Sequence, residues 1–196
     1  MPTLKRYNTM SVKKRWINFL YNISTGTKKV RNLLTPVGVI IFGVFIFVFV
    51  LASIYLDNIL NLPKLSLNAW NIIISALFLI FGLICVGWSV IHFFKVKGTP
   101  VPVNPPPKLV CTGPYSYTRN PMLTGIYLLM FGTGFGIGSL SLIFICTPLF
   151  IFVNTIELKI IEEPELEKRL GKEYLEYKKR TPMFIPRLSN VLIFKR

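Results

Sequence analysis

Apolar residues in this chain gather into three long runs separated by polar, turn-rich stretches. Pro36 to Leu56 is 21 residues without a charge, about 31 Å as a helix and enough for a bilayer core of roughly 30 Å. A short polar connection, Asp57 to Asn68, leads to a second run from Ala69 to Phe94. The third, Met122 to Val153, is 32 residues long; as one helix it would reach about 48 Å, too long for one crossing. Gly132, Gly134, Gly136 and Gly138 interrupt it. The pattern therefore predicts a hairpin: a short helix from Pro121 to about Gly134, then a longer one from Ser139 to about Ile161. The expected fold is all-α, a polytopic membrane protein with about four transmembrane helices, the last two forming that hairpin.

Amphipathic segments flank the runs. Val12, Trp16, Phe19, Leu20 and Ile23 recur at helical spacing within a basic stretch, which suits a helix lying in the lipid interface. The segment is too long and too charged for an ordinary signal peptide and is read as an uncleaved N-terminus. Lys97 to Pro107 is proline-rich, so it should be extended and stiff. Past the third run, Pro164 should open a new amphipathic helix reaching about Lys179. Leu166, Leu170, Tyr174 and Tyr177 would share one face of it. A basic tail follows, with apolar anchors at Met183, Phe184, Ile185, Val191, Leu192, Ile193 and Phe194.

Composition sharpens this. The chain is 52% hydrophobic and 16% charged, with a net charge of +15, so its basic character points to anionic lipid rather than to nucleic acid. Lys and Arg number eight before Pro36, one in the 57–68 loop, four over 95–121, none in the glycine turn and ten from residue 157 onward. That alternation puts both termini and the 95–121 loop on the cytosolic side. The expected organisation is a basic interfacial N-terminus over 1–35, two transmembrane helices over 36–94, and a functional region over 95–196. Cys85, Cys111 and Cys146 offer neither a disulfide framework nor zinc spacing, so no metal is expected. The lone histidine, His92, reads as an interfacial residue.

Gly113-Pro-Tyr-Ser-Tyr-Thr-Arg-Asn-Pro-Met-Leu-Thr-Gly125 is polar, aromatic and turn-rich immediately before a very apolar helix. Asn120-Pro121 reads as an N-cap followed by proline at the first helical position. Tyr115, Tyr117 and Arg119 would then sit beside a helix N-terminus, which favours a carboxylate or phosphate. By the charge pattern, Glu162 and Glu163 share that face. Such a set suits a small cofactor with an anionic and a cationic end, and S-adenosylmethionine fits.

The same residues resemble the superfamily of isoprenylcysteine carboxyl methyltransferases and phospholipid N-methyltransferases. Its pattern runs approximately G-x-Y-x-x-x-R-H-P-x-Y-x-G, then E-E-x-x-L, G-x-x-Y-x-x-Y and a closing proline-arginine. Here Gly113 to Gly125, Glu162-Glu163-Pro-Glu-Leu166, Gly171, Tyr174, Tyr177 and Pro186-Arg187 stand in that order. The resemblance implies an integral membrane enzyme that binds S-adenosylmethionine at the cytosolic mouth of its C-terminal helices. Its methyl acceptor would be a lipophilic molecule or lipid entering from the bilayer of a prokaryotic cytoplasmic membrane or endoplasmic reticulum. By motif position Gly113, Tyr115, Arg119, Asn120, Pro121, Leu123, Gly125 and Glu162 would bind the cofactor or shape its site. Arg119, Glu162 and Glu163 are the candidate catalytic residues. A carboxylate acceptor would be oriented by Arg119 or Arg187; an amine would lose its proton to Glu162 or Glu163. Asn120 replaces the family's His and Leu123 its Tyr, so roles needing that imidazole or that ring hydroxyl do not transfer. Two other readings stay open: an NADPH-dependent membrane reductase related to sterol reductases, and a non-catalytic protein on the same scaffold.

Overall fold

The computed structural model describes residues 11–66, 68–96, 98–99 and 101–186. Arg187 and the anchors Val191, Leu192, Ile193 and Phe194 fall outside these residues. No strand occurs among the described residues, and three helices are long and apolar enough to cross a membrane: Lys28–Ile59, Ala69–Lys95 and Leu142–Leu170.

Helix α1, Val12–Ser24, begins at Ser11, whose side chain accepts from the Lys14 N–H; this capping bond satisfies one orphan donor of the first turn. After a three-residue turn, α2 runs Lys28–Ile59 with Pro36 inside it, eight residues earlier than the apolar run alone suggests. Proline removes one backbone donor, but adding turns on either side is favourable once a helix exists. Asp57 does not stop α2, because its carboxylate accepts from the Ser141 N–H at 2.9 Å. Helix α3, Ala69–Lys95, is capped by the Asn68 side chain on the Asn71 N–H at 3.0 Å.

Helix α4, Pro121–Ile137, continues through three of the four glycines and ends at Gly138, in the left-handed region at φ +70°. A Cβ there would lie 2.7 Å from the Leu65 carbonyl oxygen, so a side chain is excluded on both counts. The Gly138 carbonyl accepts from the Leu65 N–H at 3.0 Å. With the Asp57–Ser141 bond, this joins the α2–α3 connection to the turn after α4.

The last apolar helix is longer than its pattern implies. It contains a π turn at Leu142–Cys146, α5 at Thr147–Glu157, a second π turn at Leu158–Glu162, and α6 at Glu163–Leu170. Pro164 does not start a separate helix. Pro148 and Pro164 each stand two residues beyond a π turn. There the wider i→i+5 geometry has already interrupted the α ladder, so a missing N–H and a bulky ring cost less. The true break is Gly171, at φ +61°, after which α7 runs Lys172–Arg180.

Helices α3 and α4 pack closely through small residues. A Cβ on Gly82 would lie 2.9 Å from the Gly125 carbonyl, and one on Gly125 would lie 2.8 Å from that of Gly82. The Ser75 hydroxyl donates to the Gly132 carbonyl at 2.7 Å, a contact open only to backbones this near. Phe150 is fully buried and gathers the rings of Phe42, Phe45 and Phe49 from α2, tying that helix to α5. In its most apolar stretch α2 buries only 6% of its residues, against 33% for Leu142–Leu170. The outer helix therefore offers hydrocarbon to its surroundings, and the last one lies at the centre.

Candidate active site

The site lies at the end of the bundle opposite the Leu65–Gly138 contact, where the loop before α4 meets α6, α7 and the segment after them. Gly113 takes φ +59°, and a Cβ on it would strike the His92 ring at 2.7 Å. That close approach lets His92 Nε2 hydrogen-bond to Thr112 Oγ1 at 2.9 Å. The 3-10 turn Gly113–Ser116 then directs Tyr115 inward. Its ring packs edge-on to Phe93 at 4.9 Å, with Ser89 of α3 near its hydroxyl. Burial pushes the Tyr115 phenol well above its ordinary range, so it stays neutral. Tyr117 turns toward Trp88, with ring centroids 6.1 Å apart.

Arg119 and Glu163 meet across this loop. Nη1 lies 2.7 Å from Oε1, and both side chains are buried. Lys178 of α7 approaches the other Glu163 oxygen at 2.7 Å and also reaches Glu167 at 2.8 Å. Tyr174 lies beside Arg119, and burial raises its pKa. The Arg119–Glu163 contact is close but not aligned as a hydrogen bond: Arg119 Nε and Nη1 and Glu163 Oε1 are buried without such a partner among the described residues. Buried donors and acceptors are normally satisfied; here Nη1 and Oε1 meet as an ion pair instead.

The end of the described chain seals the loop from the other side. The N–H groups of Arg119 and Asn120 donate to the carbonyls of Pro182 and Met183 at 2.8 and 3.1 Å. Asn120 occupies the N-cap position of α4 without a capping side-chain bond; its amide lies 3.5 Å from the Met183 carbonyl instead. The approach to the helix N-terminus is thus partly taken by backbone.

The structure brings Gly113, Tyr115, Arg119, Asn120 and Glu163 into one neighbourhood. Pro121 is buried at the start of α4, Leu123 packs against the Ile126–Phe150 core, and Gly125 faces α3. Glu162 is half-buried and forms no ion pair among the described residues. Its electrostatic neighbours are Glu157, Glu165 and Glu163, with Arg169 as the nearby cation.

Several contacts of the site join segments that the residue order does not pair. The Tyr177 hydroxyl donates to the Tyr115 carbonyl at 2.7 Å. Glu165 is buried between Arg169 Nε at 2.9 Å and the Ser24 hydroxyl of α1 at 2.8 Å. Arg169 also points Nη1 at the Pro106 carbonyl at 3.4 Å, so one cluster touches α1, α6 and the proline-rich loop. Glu165 had a cue in the run Glu-Glu-Pro-Glu; Lys178 and the 182–184 carbonyls had none. A cleft of about 470 Å³ lies between α2 and the loop before α4, lined by Asn32, Thr35, Val39, Ile40 and Asn104.

Apolar helices long enough for a bilayer, with a buried charge cluster gathered at one end, describe a membrane protein with a polar site at its surface. The phospholipid methyltransferase family model matches residues 70–173, just over half of the chain, and the chain belongs to that family, within the superfamily that the motif residues resemble. No curated protein matches it. Membership implies a membrane methyltransferase.

Proposed function

We propose that the protein transfers a methyl group from S-adenosylmethionine to a lipophilic acceptor at the cytosolic face of a membrane, and that a phospholipid-like amine is the acceptor its family favours. The observation that carries this reading is the Arg119–Glu163 ion pair, which joins the family-motif loop directly before α4 to the paired acids of α6. Four crossings fit: α2, α3, α4 and Leu142–Leu170, with α4 and the last helix as a hairpin. At 17 residues, α4 would span about 26 Å, and its turn would rest on the α2–α3 connection. The alternation of Lys and Arg between loops supports a cytosolic site and cytosolic termini, with residues 95–196 as the functional region.

The donor set fits S-adenosylmethionine. Arg119 would hold its carboxylate; Glu162, with no ion pair of its own, would face its ammonium or ribose hydroxyls; Tyr115 would supply a neutral wall. Gly113, Asn120, Pro121, Leu123 and Gly125 would shape the site rather than contribute charge. When bound, S-adenosylmethionine supplies a methyl group on a sulfonium, open to in-line attack. The protein's part is to hold the acceptor in line and exclude water. Glu163 is engaged by Arg119 and Lys178, which leaves Glu162 to take the proton an amine must lose. An acceptor with hydrocarbon chains would approach through the cleft between α2 and the 99–104 loop, polar at the mouth and apolar below.

The test is titration of purified protein with S-adenosylmethionine, S-adenosylhomocysteine and NADPH. Binding of the first two is expected. Binding of NADPH alone would favour a reductase, and binding of none a non-catalytic scaffold. Mass spectrometry of membrane lipids after incubation with methyl-labelled cofactor then identifies the acceptor.

A further inference from the structure

Helix α1 carries two opposed faces. At about 100° per residue, Asn18, Tyr21 and Ser24 lie on one side, and this side is docked on α6. Lys168 Nζ donates to Asn18 Oδ1 at 2.9 Å and sits 3.9 Å over the Tyr21 ring; Ser24 donates to Glu165 at 2.8 Å. Diametrically opposite, Val12, Trp16 and Phe19 are 69, 52 and 54% exposed. Trp16 and Phe19 are packed edge-to-face at 5.7 Å, an aromatic ridge left largely uncovered by the other described residues. Lys13 and Arg15 flank that ridge, one on each side, and a cleft of about 400 Å³ opens between Arg15 and the two rings.

We infer that this outer face of α1 is a docking surface for an anionic lipid headgroup layer. Aromatic rings suit the boundary between headgroups and acyl chains, and flanking cations suit the phosphates above them. Charge complementarity selects the occupant. The first 35 residues hold eight Lys or Arg and no acid, and each cation near an anionic leaflet adds to the attraction. A second copy of this chain would bring a like-charged strip against the first. The inference is independent of methyl transfer, since it concerns the face of α1 turned away from α6.

The full chain is placed in nanodiscs of phosphatidylcholine alone or mixed with phosphatidylglycerol, and amide hydrogen exchange of residues 12–24 is followed. Exchange is expected to be about tenfold slower with the anionic lipid, with the difference lost in high salt. The K13Q/K14Q/R15Q variant should lose the lipid dependence, and W16A/F19A should exchange fast in both discs. Global exchange of α3 and α4 serves as the folding control. Equal protection in both lipids would overturn the inference. So would protection that appears only when two copies share a disc, which would assign the ridge to self-association.

Discussion

The Tyr177 hydroxyl donates to the Tyr115 carbonyl at 2.7 Å, joining α7 to the loop before α4 across 62 residues of sequence. Both side chains are buried. The bond holds the 3-10 turn that aims Tyr115 at Ser89, so the mouth of the site depends on a residue from the last described helix. Tyr177→Phe would leave that carbonyl without its donor at a cost of about 1–2 kcal/mol. Thermal unfolding in detergent should show a lower Tm, and Tyr174→Phe should not reproduce the loss of loop protection in hydrogen exchange.

Glu163→Ala strands the buried Arg119 guanidinium and should destabilise by about 3–5 kcal/mol; Arg119→Ala leaves Glu163 paired with Lys178 and should cost less. The double variant should cost clearly less than the two added together, because it leaves no unpaired partner between them. A double-mutant cycle on chemical unfolding reads this directly; additive effects would show that the two groups do not interact.

Glu162 and Arg119 separate binding from stability. Glu162→Ala should weaken S-adenosylmethionine at least tenfold, at about 1.4 kcal/mol per decade, while Tm stays near wild type, because no ion pair is lost. Arg119→Ala should lower both. Isothermal titration beside differential scanning fluorimetry distinguishes them, and wild-type affinity in both variants would refute the site.

Tyr115, Tyr174 and Tyr177 all have phenols raised by burial above the ordinary value of 10. A raised folded-state pKa means that their contribution is fully present below pH 10, where the unfolded chain would ionise. It is lost as pH climbs toward the folded values. Stability should therefore decline above about pH 10. In an ultraviolet titration, tyrosinate absorbance from these three should appear only together with unfolding. A titration of every tyrosine near pH 10 with the fold intact would contradict the burial described.

Ser24→Ala removes the α1 donor to Glu165, whose remaining contact would be Arg169. Because α1 is short and exposed, its undocking should show as faster exchange or protease cutting in residues 12–27, with the core unaffected. Ser24→Thr, which keeps the hydroxyl, should restore protection.

The architecture was legible where one force dominated. The apolar runs located α2, α3, α4 and the last helix, since burial or lipid exposure of apolar area decides such segments. The spacing of Val12, Trp16 and Phe19 located α1. Boundaries misled where local breakers met tertiary contacts. Pro36 and Pro164 lie inside helices, and Gly132, Gly134 and Gly136 serve packing inside α4 rather than its turn. The family was readable from Gly113–Gly125 and Glu162-Glu163, because turn glycines and paired acids have few substitutes. The pairing within the site was not: Lys178 on Glu163, His92 on Thr112 and the Pro182–Met183 carbonyls on Arg119 and Asn120 all depend on chain segments far apart in sequence. Nothing in residue order says which of two adjacent glutamates meets Arg119.

The π turn at Leu158–Glu162 supplies that answer. Such a turn holds one residue more than an α-helix needs, so everything beyond it is out of phase by a single position, roughly a 100° rotation. In an unbroken α-helix of the same sequence, Glu162 and Glu163 would both be turned by that angle relative to α5. Which of the two acids meets Arg119 and Lys178 therefore depends on the winding of the helix before them rather than on the identity of either residue.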